Sequence, residues 1–323
     1  MDSKTMKYCI PTNIAKKIIF IDGLGHSGKA PLSAVIPSLD KLEHIQLFYL
    51  LEWIVSGLCF GALDIGYAEF IVKMAINELA YNNKIGRYSN FRYDDQSGIH
   101  KYKDPTVYYK RLSAKDGDIV VEELLKSEEY IPIQTHDLFV NLDIVFKLNI
   151  DFLMIEVMRH PVNIVHSWWK RGWGKRFGVD PRAFTLALEY NKSPMPWYAA
   201  NFQDKWDQFN EVERCLMIVN ELTKRIIKQF QAYKNNKKIL IIKHEDFVEK
   251  TDDSLKTICD FINTKPTDYT VSLLKRANCP RVLNINDRKI KENIIRSKVR
   301  KDLFVDLMDL SKRYELNCYD VDV

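Results

Sequence analysis

The sequence has few cysteines, and their spacing matches neither a metal site nor a disulfide framework. Six cysteines are scattered along 323 residues without a CxxC pair, and the seven histidines add no metal-ligand spacing. Structural metal sites use closely spaced Cys and His ligands, and disulfide-rich secreted domains use dense, regular cysteines. The composition therefore predicts a reduced, cytoplasmic protein that holds no metal.

The sequence also lacks a leader and an uninterrupted apolar run. The first 17 residues have no apolar core of the kind that a secretory signal needs. The most apolar stretch, 45–70, is interrupted by Glu52, Asp64 and Glu69. A charge at a bilayer centre costs about 2.5 kcal/mol or more. We therefore predict a buried helix pair broken near Gly57 and Gly61, with a membrane segment as the alternative.

Strong charge of either sign is missing as well. The formal net charge is +5 at pH 7. This excess suits a small anionic ligand but falls short of the concentrated basicity of a nucleic-acid-binding protein, so we expect no nucleic-acid partner.

No internal repeat, low-complexity tract or Pro/Gly-rich linker divides the chain. We predict a single domain over 1–323, with insertions or mobile segments at 81–117 and 168–205.

Short apolar runs that alternate with helical patterns predict the fold class. Five runs are strand candidates, at 17–21, 118–123, 130–135, 151–158 and 237–243. Most of them are continuously apolar, which is typical of strands covered on both faces. Helical periodicity is clearest at 210–233 and 251–263. The pattern predicts an α/β fold with three layers, α/β/α, around a mostly parallel central sheet.

A glycine-rich segment, DGLGHSGKAPL (22–32), directly follows the first strand candidate. In its GxxxxGK spacing, Gly23, Gly25 and Gly28 let backbone N–H groups surround phosphate oxygens where a helix begins. Lys29 adds a positive charge. The segment predicts a phosphate-binding loop. The alternative is an ordinary strand-to-helix turn with a solvated lysine.

The residue after this lysine argues against a magnesium nucleotidase. P-loop enzymes place Ser or Thr there to ligate Mg²⁺ at the β- and γ-phosphates. Ala30 has no hydroxyl, and Pro31 removes the next backbone donor. The loop therefore suits a phosphate-bearing donor that needs no metal. A P-loop small-molecule kinase that uses Mg-ATP stays open as an alternative.

A second motif, MRHPVNIVHSWW (158–169), follows the fourth strand candidate. It resembles the 3′-phosphate-binding segment of sulfotransferases that use 3′-phosphoadenosine 5′-phosphosulfate (PAPS). By that resemblance, Arg159 and Ser167 hold the 3′-phosphate of the donor. A guanidinium forks onto phosphate oxygens, and a hydroxyl two helical turns later can reach the same ligand. The alternative is a buried ion pair at Arg159 and a helix-filling Ser167.

The glycine-rich segment is similar to the 5′-phosphosulfate loop of the same family, a relative of the P-loop that works without Mg²⁺. His26, Ser27 and Gly28 match the family's Lys/Arg-Ser-Gly, and Lys29-Ala30 replaces its usual Thr pair. The resemblance implies a P-loop NTPase-like, sulfotransferase-like fold, PAPS as the donor and contacts to the donor along the whole loop. It leaves open whether His26 or Lys29 contacts the transferring sulfuryl group.

Two further segments resemble the family. PIQTHDLF (132–139) is similar to its Lys-Thr-His segment, which implies that His136 is the general base, although Gln134 replaces the lysine. A pKa near 6.5 suits a histidine for this role at neutral pH, and a hydrogen-bonded core histidine is the alternative. ILIIKHEDF (239–247) resembles the strand beside the adenine, with His244 at the family's Tyr position.

The last match is PRVLNINDRKIKENI (280–294). It offers Arg288 and Lys289 where family members have an Arg-Lys-Gly loop over the 3′-phosphate, but the glycine is missing. The resemblance as a whole covers about 17–265 and is poor between 40 and 117.

The resemblance implies transfer of a sulfuryl group from PAPS to a hydroxyl or amine of a small-molecule or carbohydrate acceptor. The implied catalytic residues are His136, Lys29 and His26. Segments 167–184 and 193–206 mix Trp and Phe with Arg and Lys, which suits stacking on a sugar or an aromatic ring. A surface-capping loop is the alternative for these segments. A catalytically inactive, nucleotide-binding homologue is the remaining alternative for the whole chain.

Overall fold

The computed structural model describes residues 8–316. In this range the strands are β1 (Ile18–Asp22), β2 (Gln46–Leu47), β3 (Ile131–Gln134), β4 (Phe152–Met158), β5 (Ala187–Tyr190), β6 (Ser193–Pro196) and β7 (Ile239–Lys243). Five of them form a parallel sheet in the order β2-β3-β1-β4-β7, while β5 and β6 form a separate antiparallel hairpin.

Helices occupy most of the remaining described chain. They are α1 (Lys29–Val35), α2 (Leu50–Cys59), α3 (Ile65–Lys84), α4 (Thr106–Arg111), α5 (Asp118–Lys126), α6 (Leu142–Lys147), α7 (Pro161–Lys170), α8 (Trp173–Arg176), α9 (Glu211–Tyr233), α10 (His244–Glu249), α11 (Thr251–Ile262), α12 (Asp268–Arg276), α13 (Ile285–Arg296) and α14 (Lys301–Glu315). The two helices predicted at 210–233 and 251–263 are confirmed as α9 and α11.

The central strand β1 shows why the fold has three layers. All five of its residues are buried. Ile18 and Phe20 pack into one hydrophobic cluster, which continues into α7 and α9. Ile19 and Ile21 pack into a second cluster, which continues into α1 and α11. Because successive strand residues point to opposite faces, the sheet is covered on both sides, and the predicted α/β/α class is confirmed.

One predicted strand is wrong, because 118–126 forms α5. Val120 and Leu124, which are four residues apart, are buried on one helix face, whereas Ile119 is 58% exposed. Gly117, with a left-handed φ of 105°, directly precedes the helix. The run therefore follows helical rather than strand periodicity. The edge of the sheet is formed instead by β2, whose two residues are too few to give a sequence pattern.

The apolar stretch 45–70 contains the predicted helix pair, α2 and α3. The break lies at 60–64, where Gly61 has a φ of 65°, whereas Gly57 stays inside α2. Asp64 caps α3, since its side chain accepts a hydrogen bond from the Tyr67 N–H at 2.9 Å. Among the helices of the described chain, none combines the length and the apolar character that crossing a membrane requires.

The polar segment 81–117 is attached to the body of the fold through a buried carboxylate. Glu43 accepts hydrogen bonds from Arg111 Nη2 at 2.6 Å, Lys84 Nζ at 3.1 Å and the Tyr108 hydroxyl at 3.0 Å. Burial alone would raise the pKa of Glu43, but the charges of Arg111 and Lys84 outweigh it and hold the pKa at about 2. The segment is thereby fixed beside the sheet edge at β2.

Candidate active site

Four parallel strands end at one edge of the sheet, and the predicted site residues follow them. β1 leads into the glycine-rich loop, β3 into His136, β4 into Arg159 and β7 into His244. In open parallel sheets, ligands bind outside the carboxyl ends of the strands. The topology therefore brings together residues that are far apart in the sequence.

Backbone geometry explains two of the loop glycines. Gly23 has a φ of 142° and Gly28 a φ of 85°, which side-chain-bearing residues rarely adopt. A Cβ at Gly23 would lie 2.5 Å from the Val157 carbonyl oxygen, and one at Gly28 would lie 2.2 Å from the His244 ring. The loop thus packs closely against β4 and the start of α10. The hydroxyl of Ser27 is buried and has no hydrogen-bond partner within 8–316.

Trp173 of α8 covers the loop from the other side. A Cβ at Gly25 would lie 2.6 Å from the Trp173 ring, and Trp168 Nε1 donates to the Gly25 carbonyl at 2.6 Å. The His26 and Trp173 ring centroids are 4.9 Å apart. Burial, followed by the charges of Arg171, Lys29 and Arg159, lowers the pKa of His26 to about 4. His26 is therefore neutral at neutral pH, unlike the basic residue that it replaces.

Lys29 points beneath the loop. It is 5% exposed and donates hydrogen bonds to the carbonyl oxygens of Gly23 and, at 3.4 Å, Leu24. Burial lowers the pKa of Lys29, and nearby carboxyl groups partly oppose this shift. These groups are Asp22, Glu52, Glu156 and Asp137. The alternative of a solvated lysine is wrong.

Arg159 faces the loop from the end of β4. Its Nη1 donates to the His26 carbonyl oxygen at 3.0 Å, while its Nε is buried without a hydrogen-bond partner in the described chain. Burial lowers the pKa of Arg159, Glu245 opposes this shift, and the charge of Arg281 adds to it. The pKa of Lys291 is likewise lowered by burial and by Arg159. Arg159 thus interacts electrostatically with Arg281 and Lys291, and this cation cluster suits a multiply charged anion.

Three further predicted donor contacts lie on α7 and α13. Ser167 is half-buried on α7, the helix that follows Arg159. Arg288 is paired with Glu315, with Nη2 2.9 Å from the carboxylate, and Lys289 is exposed. On the same helix, the charge of Arg159 acts on Lys291, whose Nζ donates a hydrogen bond to Asn163 Oδ1 at 3.0 Å. Their contacts with the 3′-phosphate stay a prediction.

His136 forms a close pair with Glu52, which α2 brings to the end of β3. One carboxylate oxygen of Glu52 accepts a hydrogen bond from the His136 backbone N–H at 2.8 Å and lies 3.1 Å from Nδ1. The Tyr49 ring stacks on the imidazole at 5.6 Å, with an interplanar angle of 3°. Burial and then Lys29 lower the pKa of His136 to about 3, while burial and then Asp22 raise that of Glu52 to about 8.

Two cavities meet at His136. A cleft of about 300 Å³ is lined by the loop, Arg159 and His136. A second cavity of about 200 Å³ lies on the other side of the histidine. Gly25, His136 and Trp173 border both. A ligand in the cleft and a ligand in the second cavity would therefore meet at this side chain.

Eight of the residues that line the second cavity are aromatic. They are Tyr49, Trp53, Trp168, Trp173, Phe177, Phe184, Trp197 and Tyr198. At its opening, Trp53 Nε1 donates a hydrogen bond to the Phe184 carbonyl at 2.8 Å. Arg176 and Arg182 also line it, but both are paired with Asp180. The remaining polar lining includes Glu52, His136 and Asp137, so the cavity combines ring faces with hydrogen-bonding groups.

Sequence reasoning did not single out Glu52, Trp173 or Lys291 as site residues. Glu52 carried a signal, because a carboxylate inside an apolar helix needs a buried partner. Trp173 lay within the segment 167–184 that was predicted to stack on an acceptor, and Lys291 within the matched segment 280–294, but only the packing of α8 and α13 brings these two side chains to the site.

Comparisons with known proteins agree with this architecture. The model of the sulfotransferase domain family matches residues 41–294, a range that begins after the glycine-rich loop. No curated protein matches the chain in sequence. The solved sulfotransferase domain from the curacin biosynthetic pathway is similar over 93% of this chain and 98% of its own, at 12% identity and a TM-score of 0.50.

A second similar structure is the sulfotransferase domain of the Synechococcus PCC 7002 olefin synthase. It matches 99% of this chain and 100% of its own length, at 12% identity and a TM-score of 0.48. Because the family model spans most of the sequence, this chain belongs to the sulfotransferase domain family and is a sulfotransferase.

Proposed function

We propose that the protein transfers a sulfuryl group from PAPS to a hydroxyl of a small-molecule acceptor. One observation carries the proposal: His136 lies on the wall shared by the loop-lined cleft and the aromatic cavity. A base at that junction reaches a hydroxyl in one cavity and a donor group in the other, which is the geometry that a direct transfer requires.

Unpartnered donor groups support an anionic ligand in the cleft. The Ser27 hydroxyl and Arg159 Nε are both buried without partners in the described chain, and such groups are uncommon in folded proteins. In the proposed complex the loop holds the 5′-phosphosulfate. Arg159 holds the 3′-phosphate together with Ser167 and Lys291.

The proposed chemistry needs positioning and charge stabilisation more than covalent catalysis. The acceptor oxygen bonds to sulfur while the bond from sulfur to the 5′-phosphate oxygen breaks and leaves its electron pair on that oxygen. His136 takes the acceptor proton. Lys29, neutral His26 and the loop N–H groups stabilise the charge on the leaving oxygen.

The aromatic cavity supports a small acceptor with a flat apolar part rather than a glycan chain. Its volume is about 200 Å³, and eight aromatic side chains line it, which favours stacking on a flat ring. The pairing of Arg176 and Arg182 with Asp180 leaves little charge for an anionic sugar.

The five cysteines that are free within 8–316 suit a reducing compartment, so we place the reaction in the cytoplasm.

The contact between Trp53 and Phe184 provides a test of the acceptor cavity. Trp53→Phe removes the Nε1–H donor and leaves the Phe184 carbonyl unbonded, at a cost of about 1 kcal/mol. We expect the acceptor KM to rise by roughly fivefold with an unchanged affinity for adenosine 3′,5′-bisphosphate. Trp169→Phe is the matched control, since Trp169 packs between Lys170 and Lys298 outside the cavity. Equal effects of both variants on KM would contradict the assignment.

The donor is tested by calorimetric titration of the protein with nucleotides. Adenosine 3′,5′-bisphosphate is expected to bind in the absence of Mg²⁺ and more tightly than adenosine 5′-monophosphate, because only the former reaches the cations around Arg159. The kinase alternative requires binding of ATP with Mg²⁺ and not of the bisphosphate, and that result would reject PAPS as the donor. Bisphosphate binding without turnover on any hydroxyl acceptor would identify an inactive homologue.

A further inference from the structure

We propose that Glu52 is a positioning residue for this reaction: its carboxylate holds the His136 ring with the proton on Nδ1 and Nε2 free for the acceptor hydroxyl. The inference rests on the proposed function, because it concerns the base of that reaction. Glu52, on α2, would thus assist His136, the predicted base that follows β3.

The geometry fixes the ring from two sides. The same Glu52 oxygen accepts from the His136 backbone N–H at 2.8 Å and lies 3.1 Å from Nδ1, so backbone and ring are held by one group. Tyr49 stacks on the ring face at 5.6 Å and limits rotation of the imidazole. Nε2 has no hydrogen-bond partner within 8–316, and the side chain is 30% exposed to the cavities.

A carboxylate next to Nδ1 decides which ring nitrogen is the base. An ionised carboxylate can only accept, so Nδ1 must donate and the lone pair is on Nε2. When Nε2 takes the acceptor proton, the ring becomes an imidazolium. The adjacent negative charge of Glu52 then stabilises it, as the carboxylate does in other His–carboxylate pairs. The proton passes to water after the product leaves.

The surrounding charges make the pair necessary. The charged or titratable groups around Glu52 and His136 are Asp22, His26, Lys29, Asp137, Tyr49 and Tyr198. Burial and Lys29 disfavour a positive charge on His136, which lowers its pKa to about 3. Without an ionised Glu52, this histidine is a weak base.

The pH dependence follows from the same groups. Burial and Asp22 raise the pKa of Glu52 to about 8, so its carboxylate forms as the pH rises through that value. In the proposed mechanism the active state has an ionised Glu52 and an unprotonated Nε2 on His136. We therefore expect kcat/KM of the wild-type protein to rise with pH through about 8.

The test is Glu52→Gln, which keeps the shape and the backbone hydrogen bond but removes the charge. We expect kcat to fall by about 100-fold, the increase near pH 8 to disappear, and bisphosphate affinity to stay unchanged. Glu213→Gln is the matched control. Glu213 is also a buried carboxylate that accepts two backbone N–H bonds, from Asn210 and Arg300. It is expected to alter neither kcat nor the pH profile.

A readout independent of turnover is the ¹⁵N spectrum of the histidine rings, assigned for His136 by comparison with His136→Gln. At about pH 9, above the pKa of Glu52, the wild-type protein is expected to carry the ring proton on Nδ1. A proton on Nε2 would overturn the proposal, as would wild-type kinetics of Glu52→Gln. Failure of the wild-type protein to bind the bisphosphate would instead reject the proposed function, irrespective of Glu52.

Discussion

A His136→Ala variant is expected to lose about 10²- to 10⁴-fold in kcat while binding adenosine 3′,5′-bisphosphate as tightly as the wild-type protein. His136 lies between the two cavities, and its removal takes away the group that accepts the acceptor proton. The loop and Arg159, which are proposed to hold the nucleotide, are left in place. Steady-state kinetics and calorimetry on the same preparation measure the two quantities.

A rescue experiment and a control variant show whether the loss of activity is specific to His136. Free imidazole is expected to restore part of the activity of His136→Ala, because the substitution leaves space at the junction of the cavities. His100→Ala is the control, since His100 stacks on Tyr93 in the segment 81–117, away from the cleft. Normal turnover by His136→Ala would remove His136 from the role of base, and an equal loss in both variants would indicate a general effect on folding.

An Arg159→Ala variant is expected to bind adenosine 3′,5′-bisphosphate more weakly by at least about 2 kcal/mol, or roughly 30-fold. The guanidinium has a buried Nε without a partner in the described chain, and it heads the cation cluster with Arg281 and Lys291. Adenosine 5′-monophosphate has no 3′-phosphate, so its affinity is expected to change little. Calorimetric titrations with the two nucleotides give the comparison.

The decisive quantity is the difference between the affinity lost for the bisphosphate and the affinity lost for the monophosphate. Arg159→Lys should recover only part of the loss, because an ammonium keeps the charge but not the forked donors. Arg214→Ala serves as the control, since Arg214 packs on Trp206 and lines neither the cleft nor the second cavity. If both nucleotides lost the same affinity in Arg159→Ala, the arginine would not recognise the 3′-phosphate.

The fold was largely predictable because most of its elements carry their own signal. β1, β3, β4 and β7 are short apolar runs, and α9 and α11 are long amphipathic helices. The helix α5 was mistaken for a strand. The run 118–123 has only six residues, three of them β-branched, and so short a run fits both the helical and the strand periodicity. The buried pair Val120 and Leu124 becomes evident only once the helix is packed.

The candidate site was predictable only in its local parts. The glycine loop, Arg159 and His136 follow strands directly, so motif and strand prediction locate them together. Their roles came from the family resemblance. Glu52 and Trp173 reach the site from α2 and α8, and their positions depend on how these helices pack across the ends of the strands. Tertiary contacts of this kind do not give a recognisable motif or residue spacing in the sequence.

The order of strands in the sheet has a consequence for how the protein folds. β1 pairs with β3 and β4, whose partner residues lie more than 100 positions further along the chain. Contacts between such distant segments form slowly, because long loops must close before pairing stabilises them. The glycine loop meets His136 and Arg159 only after both pairings exist. A newly synthesised chain therefore has no complete nucleotide site until the residues of β4 have been made and paired.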